Sequence, residues 1–455
     1  MRWISESCNT MEIEAALSAL LAEVTPVPEG EQVSLCHAVG RVLSADVRAP
    51  FAVPHFPKSA MDGYAVRAED VRDATPERPV RLKVVGELLA GDDPAFIRRD
   101  PSACYGRDPS ASRSQDDRLS CHSEPKAKRE RSEGEESRDF GGTAVRIMTG
   151  APVPEGYDAV VKQEDTDYGE TEVSVYRGVT AYTNYCRVGE DIPEGSLVLR
   201  KGRRIGRIEA GVLASLGISE VSVVRPIRVS VISTGSELCS LGENGQEKAP
   251  PVGRIYNSIA VTICASLPGT DFCVSREICP DDADRIASAL EEALKTSDVV
   301  ITTGGVSVGK RDLLPEVLSR IGAKRIFSGV DIQPGTPTIG SVKDGKVILS
   351  LSGNPYAALV NYDLYFWEVA AKLTGCSAYL PISEEAVLGS EYTKINKYRR
   401  LLRAKVCGGQ VTLPAKSHAS SVQSNLLDCN CYIDLPAGQE VAPGDRVKII
   451  RMPLV

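Results

Sequence analysis

The chain has 455 residues, which sets an expectation of about three domains and leaves ample room for large cores. Its net charge of −8 excludes a global basic field that would draw it to nucleic acid or acidic lipid. No apolar run is long enough to cross a bilayer, and Met1-Arg2-Trp3-Ile4-Ser5-Glu6 lacks the apolar core of a secretion signal, so a soluble, cytoplasmic protein is expected.

In chain order, Met11–Val24 reads as an amphipathic helix, because Ile13, Leu17, Leu20, Leu21 and Val24 recur at three- and four-residue steps. Pro26 and Pro28 end it. Pro50, Pro54 and Pro57 form a rigid entry to Asp62-Gly63-Tyr64-Ala65-Val66, a turn feeding a strand. Strand-like runs at 80–85, 144–148, 158–162 and 171–176, separated by turn signals, predict a β-rich domain over 51–181. Residues 98–139 interrupt it. This stretch is charge-balanced and almost free of apolar residues, and it repeats Arg99-Asp100-Pro101-Ser102-Ala103 as Arg107-Asp108-Pro109-Ser110-Ala111. It cannot bury enough apolar surface to offset its ordering entropy, so a disordered insertion is expected. Residues 10–50 and 182–225 are expected to form a discontinuous linking domain.

Pro226 opens a different pattern, in which strands at 229–232, 298–302 and 347–351 alternate with helices at 284–294, 313–321 and 355–371. Over 226–375 this predicts an α/β domain with a mostly parallel sheet. After Gly375, strand signals at 400–406, 431–435 and 446–450 predict a small C-terminal β domain over 376–455. The fold class is therefore multidomain α/β plus β. The 13 cysteines show no C-x-x-C pair and the four histidines no metal spacing, so reduced thiols are expected rather than a zinc site.

Several short segments carry chemistry. Thr302-Thr303-Gly304-Gly305-Val306-Ser307 follows an apolar strand; its glycines permit close approach to an anion, and Ser307 adds a hydroxyl. Asp312 has the wrong charge for phosphate but suits a divalent cation that bridges phosphate oxygens. The spacing Gly304 to Lys310 is not that of a P-loop. Ser233-Thr234-Gly235-Ser236-Glu237 is a second strand-end turn, either a helix N-cap at Ser236 or a site at Glu237. Asp281-Asp282 fits a helix start or a cation ligand equally well. Ser352-Gly353-Asn354-Pro355 opens a helix whose N-terminus suits an oxyanion. Asp62 reads as an Asx turn or a functional acid, and Gly189-Glu190-Asp191-Ile192 supplies another acidic tip. Acidic tips from the β-rich domain and anion loops from the α/β domain suit a metal-bridged phosphate ligand.

Met61-Asp62-Gly63-Tyr64-Ala65, Arg146-Ile147-Met148-Thr149-Gly150-Ala151-Pro152, Gly189-Glu190-Asp191-Ile192, Ser233-Thr234-Gly235, Gly304-Gly305-Val306-Ser307-Val308-Gly309 and Gly353-Asn354-Pro355, in this order, resemble the molybdopterin molybdenumtransferases (MoeA and the E-domain of gephyrin). The resemblance covers nearly the whole chain outside 98–139. It implies a homodimer of elongated four-domain subunits, adenylylated molybdopterin and molybdate (or tungstate) as substrates, Mg²⁺ as cofactor, release of AMP, and the molybdopterin adenylyltransferase as a candidate partner. It carries over Asp62, Thr149, Asp191, Glu237 and Asp312 as catalytic positions and Asp281 with Asp312 as metal ligands. Ser233, Thr234, Gly235, Gly304, Gly305, Ser307, Gly353 and Asn354 would bind the ligand. Gln333, Thr336, Pro337, Pro355 and Ser420 would border the oxyanion. The chain departs from the family where Lys-Pro-Gly-Lys-Pro becomes Gln333-Pro334-Gly335-Thr336-Pro337, and where Ile259 replaces Asn. An arginine expected near Tyr398 is shifted to Arg399 or Arg400. A molybdopterin carrier that inserts no metal, and an adenylyltransferase, are the competing readings.

Overall fold

The computed structural model describes residues 10–27, 30–95, 97, 141–241, 249–306, 312–415, 419 and 422–453. The insertion at 98–139, Ser307 and Ser420 lie outside the described residues. The chain divides into two units, Arg48–Val198 and the remainder on either side of it.

In the first unit, β1 (Gly63–Val66), β2 (Val80–Leu88), β3 (Thr143–Ile147), β4 (Ala159–Lys162) and β5 (Glu172–Val175) form one sheet in the order β4-β1-β3-β2-β5. Both faces are buried. Tyr64, Leu82, Val161 and Val173 pack on one side, and Ala65, Val145, Ile147 and Val160 on the other. That is why β1 and β4 read as continuous apolar runs, whereas β2 and β5 alternate buried apolar residues with exposed or half-buried ones. Residues 182–198, grouped with the linking domain on sequence, belong here by pairing. Tyr185–Cys186 runs antiparallel to Lys58–Ser59, and Ile192 bridges Val53.

β2 and β3 run parallel, with Lys83 opposite Thr143 and Leu88 opposite Ile147. The chain between them must return along the strand, which takes about a dozen residues. Removing 98–139 leaves a connection of about that length. The shortened protein is expected to keep its far-ultraviolet circular dichroism and melting temperature, whereas also removing 92–97 is expected to unfold this unit.

In the second unit, α1 (Ile13–Ala22) precedes a two-stranded ribbon, Gly30–Ser34 with Glu220–Val224, and α2 (Arg207–Ser215) packs with that ribbon. The α/β sheet follows. It contains β6 (Ile227–Thr234), β7 (Phe272–Cys279), β8 (Val299–Thr303), β9 (Lys324–Ser328), β10 (Ile339–Lys343) and β11 (Lys346–Leu351), in the order β7-β6-β8-β11-β10-β9. The first four strands in that order are parallel; β10 and β9 are antiparallel additions at one edge. Its helices are α3 (Ser258–Ala265), α4 (Ala283–Thr296), α5 (Leu314–Arg320) and α6 (Pro355–Thr374). Strand side chains alternate between faces, so Val231, Ile301 and Leu349 join α1, α3 and α6, while Ile232, Val300 and Ile348 join α4 and α5.

β12 (Ser383–Leu388), β13 (Arg399–Cys407), β14 (Gln410–Thr412), β15 (Cys431–Leu435) and β16 (Arg446–Arg451) close into a small barrel, because β13 pairs with both β14 and β15. Ile332–Gln333 adds a parallel strand to β13. α6 lies between the α/β sheet and this barrel; its Tyr362 and Phe366 share one core with Leu349 and with Tyr432 of the barrel. Burial nearly all round explains the absence of a polar face on α6. None of the described helices is long and apolar enough to cross a membrane.

The start of the α/β sheet is pinned by an ion pair. Arg225 donates to both Asp298 oxygens at 2.8 and 2.9 Å, and the Arg228 N–H donates to Asp298 Oδ2 at 2.8 Å. Burial alone would push the Asp298 carboxyl up, but these hydrogen bonds and the two arginine charges outweigh it and hold it below the usual carboxylate range. A depressed folded-state pKa contributes stability that is present above about pH 4 and lost as pH falls through the folded value. Asp298→Asn is therefore expected to cost roughly 2–3 kcal/mol at neutral pH and to flatten the loss of stability below about pH 4. Urea unfolding followed by Trp367 fluorescence in a Trp3→Phe background measures both.

Candidate ligand site at the glycine-bearing strand ends

β6, β8 and β11 end side by side, with Ser233 opposite Thr303 and Thr303 opposite Leu351. The loops that leave them touch. A Cβ on Gly304 would stand 2.4 Å from the Thr234 carbonyl oxygen, and one on Gly353 would stand 3.4 Å from the Gly304 Cα. Gly304 and Gly305 also have φ of 91° and 65°, a region that glycine enters at no steric cost. Only glycine fits at position 304, whereas a Cβ at position 353 would be in ordinary contact. The junction sits at the carboxyl ends of parallel strands, where open α/β sheets bind ligands.

The polar groups of the junction are mostly turned inward. Thr303 Oγ1 donates to Ser233 Oγ at 2.9 Å, Ser233 Oγ donates to Asn257 Oδ1 at 3.3 Å, and Asn257 caps α3. Thr234 Oγ1 donates to the Thr303 carbonyl. Ser233 and Thr234 are buried, so their side chains shape the loops. The N–H of Gly304 is held by Leu351 O, that of Gly235 by Cys279 O and that of Asn354 by Ser352 Oγ. These glycines thus supply shape and close approach more than hydrogen-bond donors. Pro355 opens α6, and Asn354 caps it through Oδ1 to the Ala357 N–H.

No helix follows Ser236 among the described residues, which removes the N-cap reading; Leu238–Cys239 is a short strand instead. Ser236 and Asp281 bond reciprocally, the Ser236 N–H to Asp281 Oδ2 at 3.1 Å and the Asp281 N–H to Ser236 Oγ at 3.3 Å. The exposed Glu237 carboxylate folds back against Gly235. The structure therefore brings Gly235, Glu237 and Asp281 together, while Asp282 is the cap of α4. Asp312 follows β8. Among the described residues no three acidic, histidine or cysteine side chains form a metal cage. Mg²⁺ commonly takes one or two carboxylates plus substrate phosphates rather than an all-protein cage.

In the other unit, Asp62 forms no local Asx turn of its own. Its Oδ1 accepts from both the N–H and the hydroxyl of Thr149, each at 2.7 Å, across 87 residues of sequence. The Thr149 hydroxyl, then its N–H, hold the Asp62 carboxyl below its ordinary value. Asp191 stands on a separate turn, where its N–H donates to Val53 O.

The loop Gln333–Thr338 has its own supports. Thr336 Oγ1 donates to Ile332 O at 2.6 Å, Thr338 Oγ1 donates to Gly335 O, and Pro337 lies between them. Fully buried Asn361 of α6 donates to Gly335 O at 2.8 Å and Thr338 Oγ1 at 2.6 Å. Sequence reading missed Asn361; an amide inside a helix buried all round was the available signal. Of the two arginines, Arg399 is fully engaged with Asp434 and Glu14. Arg400 faces the loop, with Nη1 3.3 Å from Gln333 Oε1 and a buried Nε that has no hydrogen-bond partner. Arg403, also missed, is fully buried, donates to Val422 O and Ala419 O, and lies 4.3 Å from the Tyr356 ring.

Three family models match in sequence order: "MoeA N-terminal region (domain I and II)" over 11–217, "Probable molybdopterin binding domain" over 230–371, and "MoeA C-terminal region (domain IV)" over 385–452. A molybdopterin molybdenumtransferase of Staphylococcus epidermidis is 31% identical over 437 residues, covering 95% of this chain and 93% of the relative. The chain belongs to the molybdopterin molybdenumtransferase family. A Staphylococcus aureus member is 30% identical over 440 residues, covering 96% of this chain and 94% of its own. The MoeA protein of Pyrococcus horikoshii superposes with a TM-score of 0.75 at 26% identity, covering 98% of this chain and all of that one. As a member of this family the protein is a transferase of molybdenum cofactor biosynthesis, and the glycine junction lies in the segment matched as molybdopterin-binding.

Asn361→Ala removes two buried hydrogen bonds, to Gly335 O and Thr338 Oγ1, and leaves a void, so it is expected to lower stability by roughly 2–4 kcal/mol, read from thermal unfolding. Asn361→Asp, which keeps the volume but not the N–H donors, is expected to do similar damage.

Proposed function

We propose that this transferase inserts molybdate into adenylylated molybdopterin and releases AMP. The observation that carries the reading is the steric junction of Thr234, Gly304 and Gly353, which leaves backbone rather than side chain at the strand ends of the family's molybdopterin-binding segment. Water attacks the phosphoanhydride, so AMP departs and the pterin keeps its own phosphate; two Mo–S bonds then replace one Mo–O bond, and that oxygen leaves as water with the two protons of the dithiolene thiols. Gly304, Gly305, Gly353 and the start of α6 form the floor on which the phosphates rest. Asp281 and Asp312 would hold Mg²⁺, which supplies charge neutralisation at the phosphates when bound. Arg400 presents positive charge to the oxyanion, with Gln333, Thr336 and Pro337 shaping the approach. Asp62, positioned by Thr149, and Asp191 serve as the acidic groups of the reaction. The homodimer, the cytoplasmic location and delivery of substrate by the molybdopterin adenylyltransferase belong to the same proposal.

One observation favours the carrier reading. The side chains of Gln333 and Thr336 are already engaged, with Arg400 and with Ile332 O, so charge on this loop comes from Arg400. Anaerobic incubation with adenylylated molybdopterin, Mg²⁺ and molybdate or tungstate separates the two. Insertion predicts AMP release that requires the oxyanion. It also predicts a loss of about 10-fold or more in Arg400→Ala and in Asp312→Ala at unchanged melting temperature. Tight binding with no AMP release in any oxyanion assigns the protein to carriage.

A further inference from the structure

The turn at 181–188 has a feature that the transferase reading leaves unused. Tyr182 and Asn184 have φ of 68° and 50°. Bulky side chains rarely enter this left-handed region. Asn184 is held there by its own contacts, with Nδ2 donating to Val160 O at 2.9 Å and its carbonyl accepting from the Ala60 N–H at 3.0 Å. The Tyr182 N–H is likewise held, donating to Asp158 O at 2.7 Å, but no hydrogen bond among the described residues fixes its ring. It is 49% exposed, meets Tyr185 edge-on at 5.4 Å, and lies under Arg187, whose guanidinium carbon is 3.8 Å from the ring centroid. No carboxylate among the described residues pairs with the Arg187 side chain; Glu190 takes its backbone N–H instead. Arg187 is exposed, as are Val188 beside it and Met61, which follows Ala60 and precedes Asp62.

Strain of this kind persists where the surrounding structure enforces it, and it concentrates at ligand clamps. A flat ring stacked with a flat cation, both open to solvent, is a platform for another π-system, and an unpaired guanidinium fork matches phosphate. We infer that Tyr182 and Arg187 form a binding platform for a planar heteroaromatic ring that carries a phosphate. The inference rests on the transferase reading for why such a ligand reaches this protein, but the geometry stands without it.

The test uses the full chain. Photolabelling with 8-azido-AMP followed by tryptic mapping is expected to mark the peptide Gly178–Arg187. Competition by AMP or by neopterin monophosphate identifies the source of the ring, and ribose 5-phosphate is expected to compete poorly. Glycine accepts the φ that strains tyrosine, so Tyr182→Gly is expected to keep or raise the melting temperature. The same variant is expected to lose labelling of that peptide and to weaken binding of the better competitor by roughly 5-fold or more. Tyr182→Phe is expected to keep both. Label confined to other peptides, equal competition by ribose 5-phosphate, or parental binding by Tyr182→Gly would overturn the platform. AMP release by a protein with no label on 178–187 removes the platform and leaves the proposed function standing. Label there in a protein that releases no AMP does the reverse.

Discussion

Backbone contact between Gly304 and the Thr234 carbonyl is the constraint from which the α/β site follows. With 2.4 Å between that oxygen and any Cβ at Gly304, the loops after β6 and β8 can close on each other only if one of them lacks a side chain. The loop after β11 then reaches the same point through Gly353. Because the three strands are parallel and in register, their ends are level, and the closed loops leave a surface of backbone at the mouth of the sheet. The hydroxyls of Ser233, Thr234 and Thr303 keep the strand ends together, which makes the surface rigid before anything binds.

α6 couples that surface to the barrel. Its first turn opens at Pro355, its Tyr356 hydroxyl bonds Leu401 O and the Arg403 N–H, and one turn further on Asn361 supports the Gly335–Thr338 loop. Arg403 fastens Ala419 and Val422 from inside the barrel. One helix thus sets the relative places of the strand-end surface, the Gln333–Thr336 loop and the barrel segment at 419–422. A buried arginine of this kind is costly to desolvate, and its two carbonyl partners and the Tyr356 ring compensate.

Elements buried on both faces were legible in the sequence. The apolar runs of β6, β8 and β11 and the long run of α6 appear within a few residues of their observed ends, because a fully buried strand or helix must be apolar throughout. The edge strand β7 was not, since its Cys273, Arg276 and Glu277 face solvent and break the pattern. β9 and β10 were missed for a related reason: Lys324 and Arg325 are exposed, and Gly340 interrupts the run where the Phe327 ring packs. At the site, glycine positions and acidic tips could be read because short spacing marks them. Partners distant in sequence could not. Thr149 on Asp62, Asn361 on Gly335 and Asp434 on Arg399 are each fixed by tertiary packing, and so is the division by which Asp434 and Glu14 hold Arg399 while Arg400 faces Gln333.

The central claim is that the glycine junction at the ends of β6, β8 and β11 is the seat of a phosphorylated pterin. Hydrogen–deuterium exchange of the full chain, with and without adenylylated molybdopterin and Mg²⁺ under anaerobic conditions, measures this directly. Slowed exchange concentrated in the amides of 234–238, 304–306 and 353–357 is the predicted result. Protection that leaves those three segments unchanged while appearing elsewhere in the chain would contradict it.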